Sequence, residues 1–434
     1  MTSERSIDQA PAEAYVWIWL PGKTEPVVAG RIARDGRRMF FNYGQSYLDR
    51  EDAVPIYEPE LPLESGAIPP SAGLSLAGCL RDGAPDAWGR RVILNRVFGR
   101  KGKDADIGAL DELTCLLESG SDRIGALDFQ CSPDKYVSRT AQTATLGELL
   151  NAAEKVEAGV PLTPELDQAL FHGTSLGGAR PKAMIEDEDR KMIAKFSSST
   201  DTYNVVKSEF VAMRLAAKAG LEAAPVRLER VAGKDVLLVE RFDRVKVRDG
   251  WQRKAMISAL TLFGLDEMMA RYASYEGLAE AIRHRFTSPK ATLHELFGRL
   301  VFNILCGNTD DHARNHAGFW DGEHLTLTPA YDICPQRRSG NEASQAMLIV
   351  DDNRLSTLAN CLEAAPHFQL DAKAAEEHIA EQIGSIRDAW DEVCEEAALT
   401  EVERNLFGRR MFLNPFVFEG APKSLQSLGD AEPA

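Results

Sequence analysis

Asp310 and Asn315 lie in the stretch Gly307-Asn308-Thr309-Asp310-Asp311-His312-Ala313-Arg314-Asn315, with the spacing D-x-x-x-x-N. An aspartate can take the proton of an attacking hydroxyl while an asparagine amide oxygen holds a divalent metal. This spacing serves that pair of roles in phosphoryl transfer. A second carboxylate, Asp332, ends the run Pro329-Ala330-Tyr331-Asp332. Between them Asp321-Gly322 reads as a hairpin turn, flanked by His316-Ala317-Gly318-Phe319-Trp320 and His324-Leu325-Thr326-Leu327. A hairpin there returns Asp332 to the loop, where it would complete a Mg²⁺ site. Taken alone, the spacing also suits ordinary turn residues, so its weight depends on what holds it.

A helix precedes the loop. In Leu296-Phe297-Gly298-Arg299-Leu300-Val301-Phe302-Asn303-Ile304-Leu305 the apolar residues recur on one face. Gly307 and Asn308 end it. Apolar sequence on both sides of a polar loop fixes the loop rigidly enough for chemistry. Upstream, Thr174-Ser175-Leu176-Gly177-Gly178-Ala179-Arg180-Pro181-Lys182 lacks the P-loop pattern. It reads either as a plain β-turn or as a glycine turn over phosphates, with Arg180 and Lys182 facing the anion. Lys191-Met192-Ile193-Ala194-Lys195-Phe196 reads as a strand with Lys195 near its end. A glycine turn followed by a strand lysine is the kinase order. A helix over 206–221 carries Glu209, read either as the partner of Lys195 or as a first-turn acid complementing the helix dipole. Val236-Leu237-Leu238-Val239-Glu240 reads as a strand leading to a hinge, where adenine would meet backbone groups near Glu240 to Phe242.

The rest of the chain sets bounds. Its 434 residues allow two or three domains, and 44% apolar with 27% charged residues is ordinary globular composition. A net charge of −16 argues against a large basic surface for nucleic acid. Seven scattered cysteines without C-x-x-C read as reduced thiols. The histidines form no H-E-x-x-H, so a zinc hydrolase has no support. No signal-peptide run opens the chain and no stretch reads as a membrane span, so a cytoplasmic protein without a membrane partner is expected. Strands are expected at 16–20, 27–32, 38–43 and 123–129, with helices near 88–92, at 110–117 and at 146–156. Further helices are expected at 372–398 and 400–413.

Several of these segments together resemble the HipA-like serine/threonine kinases of bacterial toxin–antitoxin modules. The residues that carry the resemblance are Ser175-Leu176-Gly177-Gly178-Ala179-Arg180-Pro181-Lys182, Ile193-Ala194-Lys195-Phe196, Val239-Glu240-Arg241-Phe242-Asp243-Arg244, Asn308 to Asn315, and Leu327-Thr328-Pro329-Ala330-Tyr331-Asp332. Phe41-Asn42-Tyr43 and Pro85-Asp86-Ala87-Trp88-Gly89-Arg90 resemble the family's extra N-terminal subdomain. Two departures stand out. Asp311 replaces a usual glycine and places an extra carboxylate near the metal, and Arg180-Pro181 replaces a usual Gln-Glu and stiffens the loop.

The resemblance implies an α+β, protein-kinase-like two-lobed fold. Residues 1–135 would form a β-rich N-terminal subdomain and 136–254 the kinase N-lobe. Residues 255–420 would form the helical C-lobe, and 421–434 a disordered tail. It implies ATP and Mg²⁺ as cofactors. Asp310 and Lys195 would be catalytic, and Asn315 and Asp332 would bind metal. Gly177, Gly178, Ala179, Arg180, Lys182, Glu240, Phe242 and His312 would complete the ATP site, with Ser175 autophosphorylated. The implied function is a growth-arresting toxin that phosphorylates an aminoacyl-tRNA synthetase, the glutamyl enzyme above all. A HipB-like helix-turn-helix antitoxin would neutralise it and contact operator DNA. The alternatives are a small-molecule kinase of related fold and a catalytically weak co-repressor module.

Overall fold

Met39, Phe41 and Tyr43 are buried along one face of their strand, while Arg38 at its start is exposed. That alternation is what a half-buried strand requires. The structure, a computed structural model, describes residues 11–98, 110–139, 144–163, 166–167, 170, 179–187, 189–338, 340 and 342–430. The chain divides into two compact units. One comprises Met1–Ser199, Asp243–Ile257 and Trp320–Glu323, the other Thr200–Phe242, Ser258–Phe319 and His324–Ala434.

In the first unit β1 (Glu13–Ile18), β2 (Val27–Asp35), β3 (Arg38–Tyr43) and β4 (Leu127–Gln130) form an antiparallel sheet in the order β3-β2-β1-β4. The helix after Pro85 is α1 (Ala87–Phe98), with Trp88 and Val92 both 1% exposed, as expected. Asp111 caps α2 (Glu112–Glu118), and a Thr145–Glu148 capping box opens α3 (Leu146–Glu157). The strand expected over 123–129 starts only at Leu127. Gly125 takes a positive φ of 77°, and the Arg123 side chain turns inward. Its guanidinium is buried against Asp128 at 2.9 Å and donates to the Gly83 carbonyl at 2.9 Å. Arg139 reaches the same carboxylate at 2.7 Å. Strands β5 (Lys182–Asp187) and β6 (Arg190–Phe196) pair antiparallel with Lys182 opposite Lys195.

The stretch after the expected hinge has a structural task that the sequence reading missed. Asp243 and Arg244 are both buried. The Asp243 carboxylate accepts from Gly125 N at 2.8 Å, and Arg244 donates to Asp122 at 2.8 Å and to Asp243 at 2.9 Å. Paired and hydrogen-bonded burial of this kind is what makes buried charges tolerable.

In the second unit α4 (Val205–Lys218) precedes the hairpin of β7 (Val226–Val231) and β8 (Lys234–Glu240). Asn204 caps α4, so Glu209 sits beyond the first turn and is buried. The reading of Glu209 as a first-turn acid is therefore corrected. Helices α5 (Tyr275–Arg285) and α6 (Pro289–Cys306) pack together, followed by β9 (Ala317–Trp320) and β10 (Leu325–Leu327). Helix α7 (Ala372–Glu396) packs on α4 and α6. The helix expected over 400–413 is shorter: α8 spans Glu401–Phe407, and Arg409 and Leu413 then adopt positive φ. The disordered tail expected from 421 is also corrected. Lys423–Asp430 is a helix, α9, and buries Leu425 while packing on α7. All seven cysteines are free. Among the described residues no helix is long and apolar enough to cross a membrane.

Candidate active site

Helix α6 delivers the loop. Its buried face includes Leu296, Leu300, Val301, Ile304 and Leu305, the residues whose spacing called for a helix. It stops at Gly307, which takes φ 74° and returns its N–H to the Asn303 and Ile304 carbonyls. A Cβ at Gly307 would stand 2.8 Å from the Met411 carbonyl oxygen, so glycine is needed there for both backbone and space. Beyond it, Gln336 N donates to Gly307 O at 2.9 Å and Ala346 N to Thr309 O at 3.0 Å. The loop is thus held by main-chain bonds from two other segments.

Asp310 is exposed. Burial of part of its carboxyl raises its pKa from the ordinary value; His312 opposes this, and the charges of Asp332 and Asp311 add to it. Asp332 is therefore close enough for its charge to act on Asp310, as the hairpin reading required. Asp332 itself takes φ 58°, an uncommon conformation that aspartate tolerates better than most residues. Its neighbour Tyr331 donates to the Arg314 carbonyl at 2.7 Å, which ties the Asp332 segment to the loop. Asn315 is buried, its N–H donates to His312 O at 2.8 Å, and its Nδ2 donates to Asp310 O at 3.4 Å. Those bonds set the amide's orientation and leave Oδ1 as its acceptor. The Nδ1 atom of His312 is buried without a protein partner.

This donor set suits Mg²⁺. Among the described residues no group of three or more His, Cys, Asp or Glu side chains forms a metal cage. Mg²⁺ is ordinarily held by one or two protein oxygens together with substrate phosphates. The Asn315 amide oxygen and the Asp332 carboxylate are the candidates for such a pair.

Asp311 does not join the site, which corrects the expectation of an extra carboxylate at the metal. It is 2% exposed, accepts from the Tyr275 hydroxyl, and faces His316 Nε2 at 3.0 Å. Burial opposes its charge, but the His316 ring and the hydrogen bonds from His316 and Tyr275 hold its carboxyl below the ordinary value. Asn303 Nδ2 stands 3.5 Å from the Tyr275 hydroxyl, and Asn308 Nδ2 donates to Asn303 Oδ1 at 3.0 Å. The sequence reading missed Tyr275, Asn303 and His316 as supports of the loop. A lone asparagine on the apolar face of α6 was the one available signal.

The remaining candidates are placed as follows. Lys195 lies in β6, half-buried. Lys182 is not a free loop cation: it is 2% exposed, with Nζ 3.4 Å from Asp86, and its carbonyl accepts from Trp88 Nε1 at 3.0 Å. The idea that Lys182 faces an anion from the loop is therefore corrected. Ala179 is exposed and Arg180 half-buried just before β5. Ser175, Gly177 and Gly178 lie outside the described residues. The N–H of Glu240 donates to Pro225 O at 2.9 Å and so is not open to an adenine. Phe242 packs on Tyr331 and Phe319, at ring-centroid distances of 5.5 and 5.9 Å.

A model of the HipA-like C-terminal domain matches residues 174–390, half of the chain, and one of the HipA N-terminal domain matches 18–130. A candidate kinase of Sinorhizobium fredii is 24% identical over 340 residues, covering 73% of this chain and 76% of that protein. The serine/threonine-protein kinase toxin HipA of Shewanella oneidensis is 24% identical over 168 residues, 35% of this chain and 38% of its own length. Among solved structures, the Shewanella oneidensis complex of HipA, HipB and operator DNA matches with a TM-score of 0.65 at 19% identity. That match covers 89% of this chain and 93% of its counterpart. It shows the fold to be α+β and kinase-like, as the sequence led us to expect.

Proposed function

Because this chain belongs to the HipA-like family, we propose that it is an ATP-dependent serine/threonine protein kinase acting as the toxin of a toxin–antitoxin pair. The observation that carries the reading is the rigid turn that holds Asp310 and Asn315 together, with the Asp332 segment tied to it through the Tyr331 hydroxyl and the Arg314 carbonyl. Asn315 is bonded to the Asp310 carbonyl, and partial burial, with a smaller contribution from the Asp332 charge, raises the Asp310 carboxyl. A carboxylate whose pKa is raised while it stays exposed is suited to accept a hydroxyl proton. Asp310 takes or orients the proton of the acceptor hydroxyl. Asn315 and Asp332 hold Mg²⁺, which when bound neutralises charge on the transferred phosphate. Lys195 positions the α- and β-phosphates, and the 175–182 stretch covers them. Most of the rate gain in this chemistry comes from positioning and fixed charge.

The partner implied by the family is a HipB-like antitoxin that carries the operator DNA contacts, which fits the net charge of −16 on this chain. The substrate is an aminoacyl-tRNA synthetase, and the compartment the cytoplasm. The working division is 1–135, 136–254 and 255–420. Ser175 is an autophosphorylation site that switches the enzyme off, since a phosphoserine beside ATP phosphates repels them. The test is labelled ATP added to a cell lysate with the wild-type chain or with Asp310→Asn. A protein band labelled only by the wild type is expected. A labelled metabolite instead of a protein would overturn the protein-kinase reading.

A further inference from the structure

Asp311 and His316 immediately follow the two residues on which the proposed chemistry turns, Asp310 and Asn315. Their side chains meet in the interior. His316 Nε2 lies 3.0 Å from Oδ1 and 3.1 Å from Oδ2 of Asp311, and both side chains are 3% exposed. The contact therefore ties one end of the D-x-x-x-x-N segment to the other. Tyr275, the first residue of α5, holds the tie in place. Its hydroxyl donates to Asp311, and its ring meets the His316 ring nearly edge-on at 5.5 Å and 75°. Asn303 of α6 stands behind that hydroxyl. A buried carboxylate is tolerated only when paired and hydrogen-bonded, so this geometry is strongly specified. Removing Asp311 strands the Tyr275 hydroxyl and the His316 ring, and removing His316 leaves Asp311 with Tyr275 as its remaining side-chain partner.

We propose that Asp311 is a positioning residue. Its buried contact with His316, anchored by Tyr275, fixes the separation of Asp310 and Asn315 for phosphoryl transfer. The proposal rests on the reading of Asp310 and Asn315 as the reacting pair. Asp311 is buried against Tyr275 and His316, and it acts through the backbone of the residue before it. The Asn315 amide is oriented by the Asp310 carbonyl, so any slackening of the tie shifts the proton acceptor and the metal-binding amide together. Nucleotide affinity, which draws on many other groups, is not expected to follow.

The test uses the full chain. It measures ADP release from MgATP, MgATP affinity by calorimetry, and the melting temperature. Asp311→Asn and His316→Phe should each lower kcat by about 10²-fold, the scale of a 1 Å misplacement, with MgATP affinity unchanged. The double variant should lose no more than either single one, because the pair acts as a unit. His316→Gln, whose amide can still donate to Asp311, should recover much of the turnover lost in His316→Phe. Should Asp311→Asn fail to fold, the His316→Phe and His316→Gln pair decides, since Tyr275 still partners the carboxylate in both. A folded Asp311→Asn or His316→Phe chain with wild-type kcat overturns the proposal, as do losses that multiply in the double variant. If the wild type itself releases no more ADP than Asp310→Asn, the phosphoryl-transfer reading fails and the positioning role falls with it. Active wild type with equally active Asp311 and His316 variants sinks the positioning role alone.

Discussion

Asp310 and Asp311 are neighbours whose carboxylates have opposite fates: Asp310 is exposed, while Asp311 is 2% exposed and bonded to Tyr275 and His316. One faces solvent and the other faces the core. Replacing them should therefore have very unequal consequences for stability. Asp311→Ala strands the donors of Tyr275 and His316 and should cost about 3–5 kcal/mol, as for breaking a buried pair. Asp310→Ala should stay within about 0.5 kcal/mol, as exposed substitutions do. Urea midpoints of the two variants check this, and equal midpoints would contradict the assigned burial.

Asp332→Ala should weaken binding of MgATP more than binding of metal-free ATP. Asp332 lies near enough to act electrostatically on Asp310, and the proposed function gives it, with Asn315, the role of holding Mg²⁺. Calorimetry with and without Mg²⁺ separates the two effects, and equal losses would deny Asp332 a ligand role.

Stability should fall in acid through Asp128. Burial alone would raise its carboxyl, but the Arg123 and Arg139 guanidiniums hold it down at about 2. A folded-state pKa below the unfolded value of about 3.9 contributes stability above that value. The contribution is lost as pH falls from about 4 towards 2 and amounts to roughly 2 kcal/mol. Asp128→Asn should flatten this part of the curve. A wild-type curve that is already flat there would contradict the pairing.

Gly307→Ala should destabilise the chain by about 1–3 kcal/mol. The residue takes φ 74°, and its new Cβ would press on the Met411 carbonyl. A melting temperature equal to that of the wild type would show that the helix end can rearrange without cost.

Local pattern carried most of the fold. The face of α6, the strands expected at 27–32 and 38–43 and the helix expected at 146–156 all rest on residues close in sequence, and such signals survive without tertiary knowledge. The candidate site rested on signals of the same local kind. D-x-x-x-x-N and the hairpin leading to Asp332 are local features, and the structure brings Asp332 within electrostatic reach of Asp310. What failed depended on distant partners. Asp311 was read as part of the metal site because nothing near it announces Tyr275, which approaches from the start of another helix. Lys182 was read as facing an anion because its partner Asp86 lies far back in the chain. The helix Lys423–Asp430 was taken for a tail because Leu425 gains its burial only once α7 is in place.

The central claim is that Asp310 carries phosphoryl transfer from MgATP. The most direct measurement is ADP release by the wild-type chain and by Asp310→Asn, with MgATP affinity and melting temperature recorded for both. A loss of at least about 10²-fold in turnover is expected, the lower bound for removing a positioned base, with affinity and melting temperature essentially retained. A folded Asp310→Asn chain that binds MgATP and releases ADP at the wild-type rate would contradict it.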